Sequence, residues 1–517
     1  MALLLVTAVY APSLSGGWVW DDHSQLEANP TLATPSALWL TDIRHGGATE
    51  ATDIYRPLVM SSYVPGQSLA PGPTSARLGN LAVHLGVVVL VARLALQLGA
   101  AGPWAWLAAA TFGVHPGATE AVAWITGRHD ALPALLMLGA FVLLPRRPVL
   151  AGALCALTPL AKEPYLLAPV ALALWGWGRR QWSWPAIGVA AIGPVLALAL
   201  RSAAGVAFPV AAAATDPLGG LGAFAVRGVT LALDPTAPDA AALYVSQVGV
   251  GWAVVVLSGA VLITAARTHR LRGLALVAAP TLLLLPCVPA SARNGLIGDR
   301  YFYLFLATLA VGLAVAVTRG LGDRRWAYAL GLVPLVLAPF SARRASEWAS
   351  DTTLWAASYA RDPGNTHAAF HLGYALHTEQ GDCAGAVPLY GKAVAIEGRA
   401  RTNLMACLVK LGRNEEAVAR APELAAYDPT NPKVPATAAR ALVALGRLDE
   451  ARAWAERAVA AAGRPEDWLL VGNIAGSQGD LDAAGRAFRA VLAASPGHPG
   501  AEAGLRAVLE RSAGVGR

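Results

Sequence analysis

Two adjacent carboxylates, Asp21 and Asp22, stand where an apolar N-terminal run stops, in the stretch Trp18-Val19-Trp20-Asp21-Asp22-His23. Charge at the mouth of a membrane segment is costly to solvate, so an acidic pair there is a candidate site. A carboxylate so placed can take the proton of a hydroxyl nucleophile as a general base. The plainer reading is a pair of solvated turn or cap residues. The cations that could complement such a base are Arg300 in Asp299-Arg300-Tyr301, Arg128 in Thr126-Gly127-Arg128-His129-Asp130, and Lys162 in Lys162-Glu163-Pro164. A guanidinium fork donates two parallel bonds to phosphate, which suits arginine to an anionic leaving group. Sequence proximity pairs Arg128 with Asp130, Lys162 with Glu163 and Arg300 with Asp299.

Further polar residues sit beside these. If the stretch from His115 to Asp130 is helical, Glu120, Trp124 and Arg128 lie four apart on one face; an interfacial helix end with a tryptophan anchor is the alternative. Asn80 and His84 share a face of an apolar segment, where a hydrogen bond between packed helices is the commoner use of such a pair. Tyr55-Arg56-Pro57-Leu58 belongs to a long polar loop, 21–75, that also holds His23, Asp42, His45 and Asp53.

The elements that must position these residues are membrane spans. The chain has 517 residues, 55% hydrophobic and 14% charged, beyond the apolar share of soluble domains. Apolar runs from 76–99 to 326–341, with the N-terminal run, give about eleven spans by hydropathy. The first run, Ala2 to about Pro12, is short for a span, so either the start lies upstream or the helix continues to Trp20; a signal peptide is the alternative. Arg146, Arg147, Arg179, Arg180, Arg267, Arg270, Arg272, Arg319, Arg324 and Arg325 fall in alternate connections, the positive-inside pattern. This puts the N-terminus in the cytoplasm, with loop 21–75 and the C-terminal part outside. The net charge of +7 is spread over these connections without an aromatic-laced basic patch, which argues against nucleic acid.

The C-terminal part is water-compatible and repetitive. Gly381, Gly412, Gly446 and Gly479 are each followed five residues later by alanine, at 386, 417, 451 and 484. That register is close to the 34-residue period of tetratricopeptide (TPR) helix pairs, with Pro363, Pro429 and Pro496 at the joins. The expected organisation is all-α: a multispan membrane domain over 1–341, a connecting helix over 342–362, and about four TPR repeats over 363–517. Cys383 and Cys407 pair if this part faces an oxidising compartment and otherwise remain thiols; no zinc spacing is present.

Taken together, Trp20-Asp21-Asp22-His23, Tyr55-Arg56-Pro57-Leu58, Asn80 to His84, His115-Pro116 through Glu120, Trp124, Arg128 and Asp130, Lys162-Glu163 and Asp299-Arg300-Tyr301, followed by TPRs, resemble the transmembrane and TPR-containing O-mannosyltransferases and their bacterial relatives. The resemblance implies a GT-C glycosyltransferase bundle that uses a polyprenyl-phosphate sugar and carries a catalytic carboxylate in its first external loop. On that footing Asp21 or Asp22 is the base, and Arg300, Arg128 and Lys162 bind the donor phosphate. His23, Tyr55, Arg56, His115, Glu120, Trp124, Asp130, Glu163 and Asp299 support them. The repeats would take an acceptor protein or glycan. No cofactor is implied and no metal is favoured, although adjacent carboxylates can hold one. The competing reading is a membrane-anchored TPR scaffold without catalysis.

Overall fold

The computed structural model describes residues 1–42, 54–206, 216–234, 236–237, 239, 247–268, 270–294, 296–320 and 329–515. His45, Asp53, Arg324 and Arg325 lie outside the described residues. The chain divides into two compact units, Met1–Leu354 and Trp355–Arg517.

The elements described in the first unit are helices: α1 (Ala2–Tyr10), α2 (Pro57–Leu69), α3 (Pro73–Gln97), α4 (Gly102–Gly113), α5 (Thr119–Ala123), α6 (Arg128–Leu143), α7 (Pro148–Leu157), α8 (Ala168–Gly178), α9 (Trp184–Ala203), α10 (Pro217–Leu233), α11 (Val248–Arg267), α12 (Leu271–Thr281), α13 (Cys287–Asn294) and α14 (Tyr303–Gly320), then Val333–Glu347. Proline opens α2, α3 and α7, where its fixed φ fits the first turn and its missing N–H has no partner to lose. Helix α3 is central, packed against α4, α6 and α14.

Lipid offers no hydrophobic drive between helices, so close backbone approach at small residues holds such crossings together. At α7 against α9, a methyl added to Gly193 would lie 2.3 Å from the Ala156 carbonyl oxygen. At α10 against α11, one added to Gly251 would lie 1.9 Å from the Leu218 carbonyl oxygen. Neither position accepts any side chain.

Among the described residues, five helical stretches are long and apolar enough to cross a membrane: Pro73–Gln97, Trp184–Ala203, Val248–Arg267, Leu271–Ala292 and Asp299–Gly320. The protein is therefore multi-pass, but length alone does not yield the eleven spans expected. Several apolar runs fold as shorter pieces because prolines and polar turns divide them. The run at 148–161, for example, is α7 followed by a 3₁₀ turn at Thr158–Leu160, with Pro159 inside it.

In the second unit, antiparallel pairs run from Thr366–Glu379 with Cys383–Ala393 to Pro465–Gln478 with Leu481–Ala494, and Pro499–Val515 packs on the last pair. Gly381, Gly412, Gly446 and Gly479 all have φ between 69° and 81°, the left-handed turn that lets the chain reverse after each first helix. The alanines five residues on are fully buried where the paired helices meet. Cys383 and Cys407 are joined by a disulfide. Sequence alone left this pairing open, because the two cysteines become neighbours only when successive helices stack.

A bridge with a sequence separation of 24 stabilises mainly by restricting the unfolded chain, by about 3 kcal/mol. Reduction is expected to lower the melting temperature of the repeat unit, and Cys407→Ala to abolish that sensitivity. Alkylation of both cysteines before any reductant is added would show the bridge to be absent in solution.

Candidate active site

The acidic pair is built into a tightly held loop. Trp20 adopts φ 58°, a left-handed conformation that few non-glycine residues take without support. Two contacts hold it: its N–H donates to Asp351 Oδ1 at 2.7 Å, and its ring stacks on Trp124 at 4.9 Å. Just ahead, Gly17 N–H donates to the Ala349 carbonyl at 2.9 Å. The loop therefore takes its shape from residues 348–351, more than three hundred positions away.

The two carboxylates then differ. Asp22 is fully buried and accepts from Val19 N–H at 3.1 Å and Thr126 N–H at 3.0 Å. Burial pushes its carboxyl up to about 7, with the Thr126 and Val19 hydrogen bonds and Arg77 pulling the other way. Asp21 is only partly buried. Geometry thus gives Asp22 the task of holding the loop and leaves Asp21 the more accessible of the two.

The stretch after α4 is not one helix. Helix α5 ends at Ala123 and Trp124 is extended, so Glu120, Trp124 and Arg128 do not share the expected helical face. The break exposes backbone groups that no water can reach, and side chains satisfy them. Asn80 Nδ2 donates to the carbonyls of Trp124 at 2.8 Å and Ile125 at 2.9 Å. Tyr63 takes the Ile125 carbonyl and Arg77 the Ala123 carbonyl, while Asp22 takes the Thr126 N–H. Arg128 locks the far side, donating to Asn80 Oδ1, Ser62 O and Oγ and the Ala76 carbonyl, with its guanidinium 3.9 Å over the Tyr63 ring. It is a buried brace, not a neighbour of the other proposed phosphate ligands. His84 serves packing as well, donating to the Gly113 carbonyl and accepting from Tyr303.

The charges read as local pairs exchange partners in space. Lys162 pairs with Asp130, and Glu163 with Arg56 at 2.8 Å and Arg201 at 3.9 Å. Arg300 pairs with Glu120, which also accepts the Arg300 N–H at 3.0 Å, and its Nε lies 3.7 Å from Asp130 Oδ2. Asp299 instead takes Arg227 and the Asp239 N–H. Neighbours along the chain point to different sides of these tight turns, so the short-range pairings fail. What results among the described residues is one cluster in which four cations, Arg56, Lys162, Arg201 and Arg300, face three carboxylates, Glu120, Asp130 and Glu163. Burial lowers Lys162, against the pull of Asp130. Burial would raise Glu163, but Arg56 and Lys162 hold it below the usual carboxylate range. His129 Nδ1 accepts from Arg56 at 3.0 Å, and Tyr301 lies under both Lys162 and Arg300.

Loop and cluster meet at Trp124, whose ring stacks with Trp20 and lies 4.9 Å from the Arg300 guanidinium. Tyr55 donates to the Trp39 carbonyl, and His115 accepts the Gly117 N–H, so both serve to shape loops. Sequence reasoning missed Asp351, Trp348, Arg77, Arg201 and Arg227. Arg77 and Arg201 carried a signal, being charges within apolar segments. Asp351 carried none, because its importance is a long-range contact. Among the described residues, the group of three His, Cys, Asp or Glu side chains close enough to share an ion is His377, Cys383 and Cys407, whose sulfurs are bonded to each other.

Residues 418–474 match the tetratricopeptide repeat family model. The chain is 32% identical over 140 residues to protein O-mannosyl-transferase TMTC2 of Mus musculus and 31% identical to that of Homo sapiens, each match covering 25% of this chain and 16% of the relative. The Tmtc2 protein of Drosophila melanogaster is 34% identical over 137 residues, 24% of this chain and 14% of its own length. The chain thus aligns with about a sixth of the length of these curated relatives, which are of the family that its motifs resemble. The crystal structure of ArnT from Cupriavidus metallidurans bound to undecaprenyl phosphate is similar at a TM-score of 0.41 and 17% identity, over 81% of this chain and 78% of that one. That likeness is too distant to bear on activity.

The anchoring of the loop is testable through His23, which donates to Asp351 at 3.1 Å and Glu27 at 2.5 Å. The Asp351 hydrogen bond, with Glu27 behind it and burial opposing, raises the imidazole to about 9 from its ordinary 6.5. Its stabilising pairing is therefore complete below pH 6.5 and lost as pH rises through 9. Diethyl pyrocarbonate labelling of His23, followed by mass spectrometry across pH, should show a midpoint near 9 that moves down by a unit or more in Asp351→Asn. An unmoved midpoint would disconnect Asp351 from the loop.

Proposed function

We propose that this protein is an inverting glycosyltransferase of the cytoplasmic membrane that moves a sugar, mannose or another hexose, from a polyprenyl-phosphate donor to an external hydroxyl of a protein or envelope glycan. The observation that carries the reading is the convergence on Trp124 of the loop that holds Asp21, through the Trp20 ring, and of a buried charge cluster, through Arg300. The partial relationship to O-mannosyltransferases supports it. The alternation of arginine-rich connections supports an external site, and the Cys383–Cys407 bridge supports an oxidising surrounding for the repeats.

In this reading Asp21 accepts the proton of the acceptor hydroxyl. The acceptor oxygen forms its bond to the anomeric carbon as the bond from that carbon to the phosphate oxygen breaks. Polyprenyl phosphate leaves with the electron pair, and configuration inverts. Arg300 and Lys162 stabilise the charge developing on the departing phosphate, with Glu120 and Asp130 fixing their positions. Arg56 and Glu163 complete the cluster. Arg128, whose guanidinium is committed to holding the chain break, acts through that structure and not on the donor. The reaction as written draws on no metal or cofactor.

Asp21→Asn preserves shape and removes the base. Transfer from polyprenyl-phosphate mannose should fall roughly 10²- to 10⁴-fold, with donor binding and melting temperature unchanged. Asp22→Asn should also lower stability, by about 1–3 kcal/mol, because one of two buried N–H groups loses its acceptor. Arg300→Lys should weaken donor binding, since a point charge cannot replace a fork. Near-normal transfer by both folded asparagine variants would overturn the reading in favour of a membrane-anchored scaffold.

The repeats are the proposed acceptor-binding surface, because stacked helix pairs present an extended concave face, while the proposed reacting groups all belong to the other unit. Removing 363–517 should reduce transfer to the natural acceptor more than hydrolysis of the donor. Equal losses would assign the repeats a structural role only.

A further inference from the structure

An apolar cavity of about 390 Å³ lies between α3, α8, α12 and α14, separate from the charge cluster. Leu94, Trp175, Leu276, Phe305 and Leu309 are among the side chains lining it, and it is edged by Val277 and Leu313, which are 62% and 55% exposed. Among the described residues its lining holds two that are charged, Arg179 and Arg319, and no carboxylate. Both arginines stand at one end. Arg179 follows α8 directly, Arg319 is in the last turn of α14, and the start of α12 is close by, since a methyl added to Gly178 would lie 2.7 Å from the Arg272 carbonyl oxygen. Arg179 donates to the Gln97 carbonyl at 3.0 Å, which fixes the guanidinium against the end of α3.

A groove open on an apolar flank, lined by hydrocarbon along its length and basic at one end, has the chemistry of a lipid with an anionic headgroup. Basic pockets between spanning helices are known to hold phosphate headgroups in this way. We infer that it binds an anionic membrane phospholipid, with the phosphate against Arg179 and Arg319 and an acyl chain along α14. The donor proposed above does not fit this orientation. From Tyr303 to Arg319 the helix rises about 24 Å, so a phosphate held by Arg319 is at the opposite end of α14 from Arg300. The site is independent of the glycosyltransferase reading and stands if that reading falls.

Two glycines allow a test that leaves the arginines in place. A methyl added to Gly312 or Gly273 meets nothing within 4 Å, and both line the groove, so a larger side chain there starts from open space and takes up room in the groove. The experiment is native mass spectrometry of the full-length protein titrated with phosphatidylglycerol or phosphatidylcholine, with melting temperatures as a folding control. Wild-type protein should retain phosphatidylglycerol in preference to phosphatidylcholine. Arg179→Ala with Arg319→Ala should bind phosphatidylglycerol roughly ten- to thirty-fold more weakly, as expected for two phosphate-facing arginines. Gly312→Leu should lose the retained lipid with both arginines intact, and it decides the matter if the double variant does not fold. Equal retention of the two lipids, or undiminished phosphatidylglycerol binding by folded Gly312→Leu, would overturn the inference. Displacement of phosphatidylglycerol from wild type by stoichiometric polyprenyl phosphate would also overturn it, by giving the groove to the donor.

Discussion

A buried break in a helix must satisfy its own backbone, because an N–H or C=O shut away from water without a partner is costly. The turn between α5 and α6 is such a break, and much of the unit is arranged around it. Asn80, Arg77, Tyr63 and Asp22 come from three separate parts of the chain and meet its carbonyls and N–H groups, and Arg128, just past the turn, ties it to Asn80 and to the Ala76 carbonyl. Each is a polar residue whose burial would be unfavourable without that partner. Together they exchange a set of mutual costs for a single fixed geometry, which places Trp124 between the N-terminal loop and Arg300.

That geometry explains why the charges can be held so closely. Buried ion pairs are poor sources of stability, since desolvation offsets much of their attraction. Their value here lies in position. Glu120 and Asp130 orient Arg300 and Lys162, while Glu163 does the same for Arg56 and Arg201. The acidic pair is divided by the same logic. A carboxylate with two backbone donors and no solvent is a structural element, and its neighbour is the more exposed of the two.

The repeat unit uses simpler means. Left-handed glycines reverse the chain and alanines let helices approach, so the same short pattern recurs with little need for long-range polar contacts. The disulfide adds a covalent tie between successive helix pairs.

The sequence by itself determined the membrane character, the helical class, the repeats and the residue types of the candidate site. Those properties follow from hydropathy, spacing and side-chain chemistry, which are local. It also marked Arg300, Lys162 and Glu120 as charges needing partners. It did not determine who those partners are: Arg128 with Asp130, Lys162 with Glu163 and Arg300 with Asp299 were natural local pairs, and none of them is a direct ion pair in the fold. Nor could it separate Asp21 from Asp22, expose the role of Asp351, or decide the bond between Cys383 and Cys407. Each of these depends on which distant segments meet, and adjacent residues at a tight turn face different ways. Only tertiary packing sets those directions, and with them the burial that turns one carboxylate into a brace and leaves the other partly exposed.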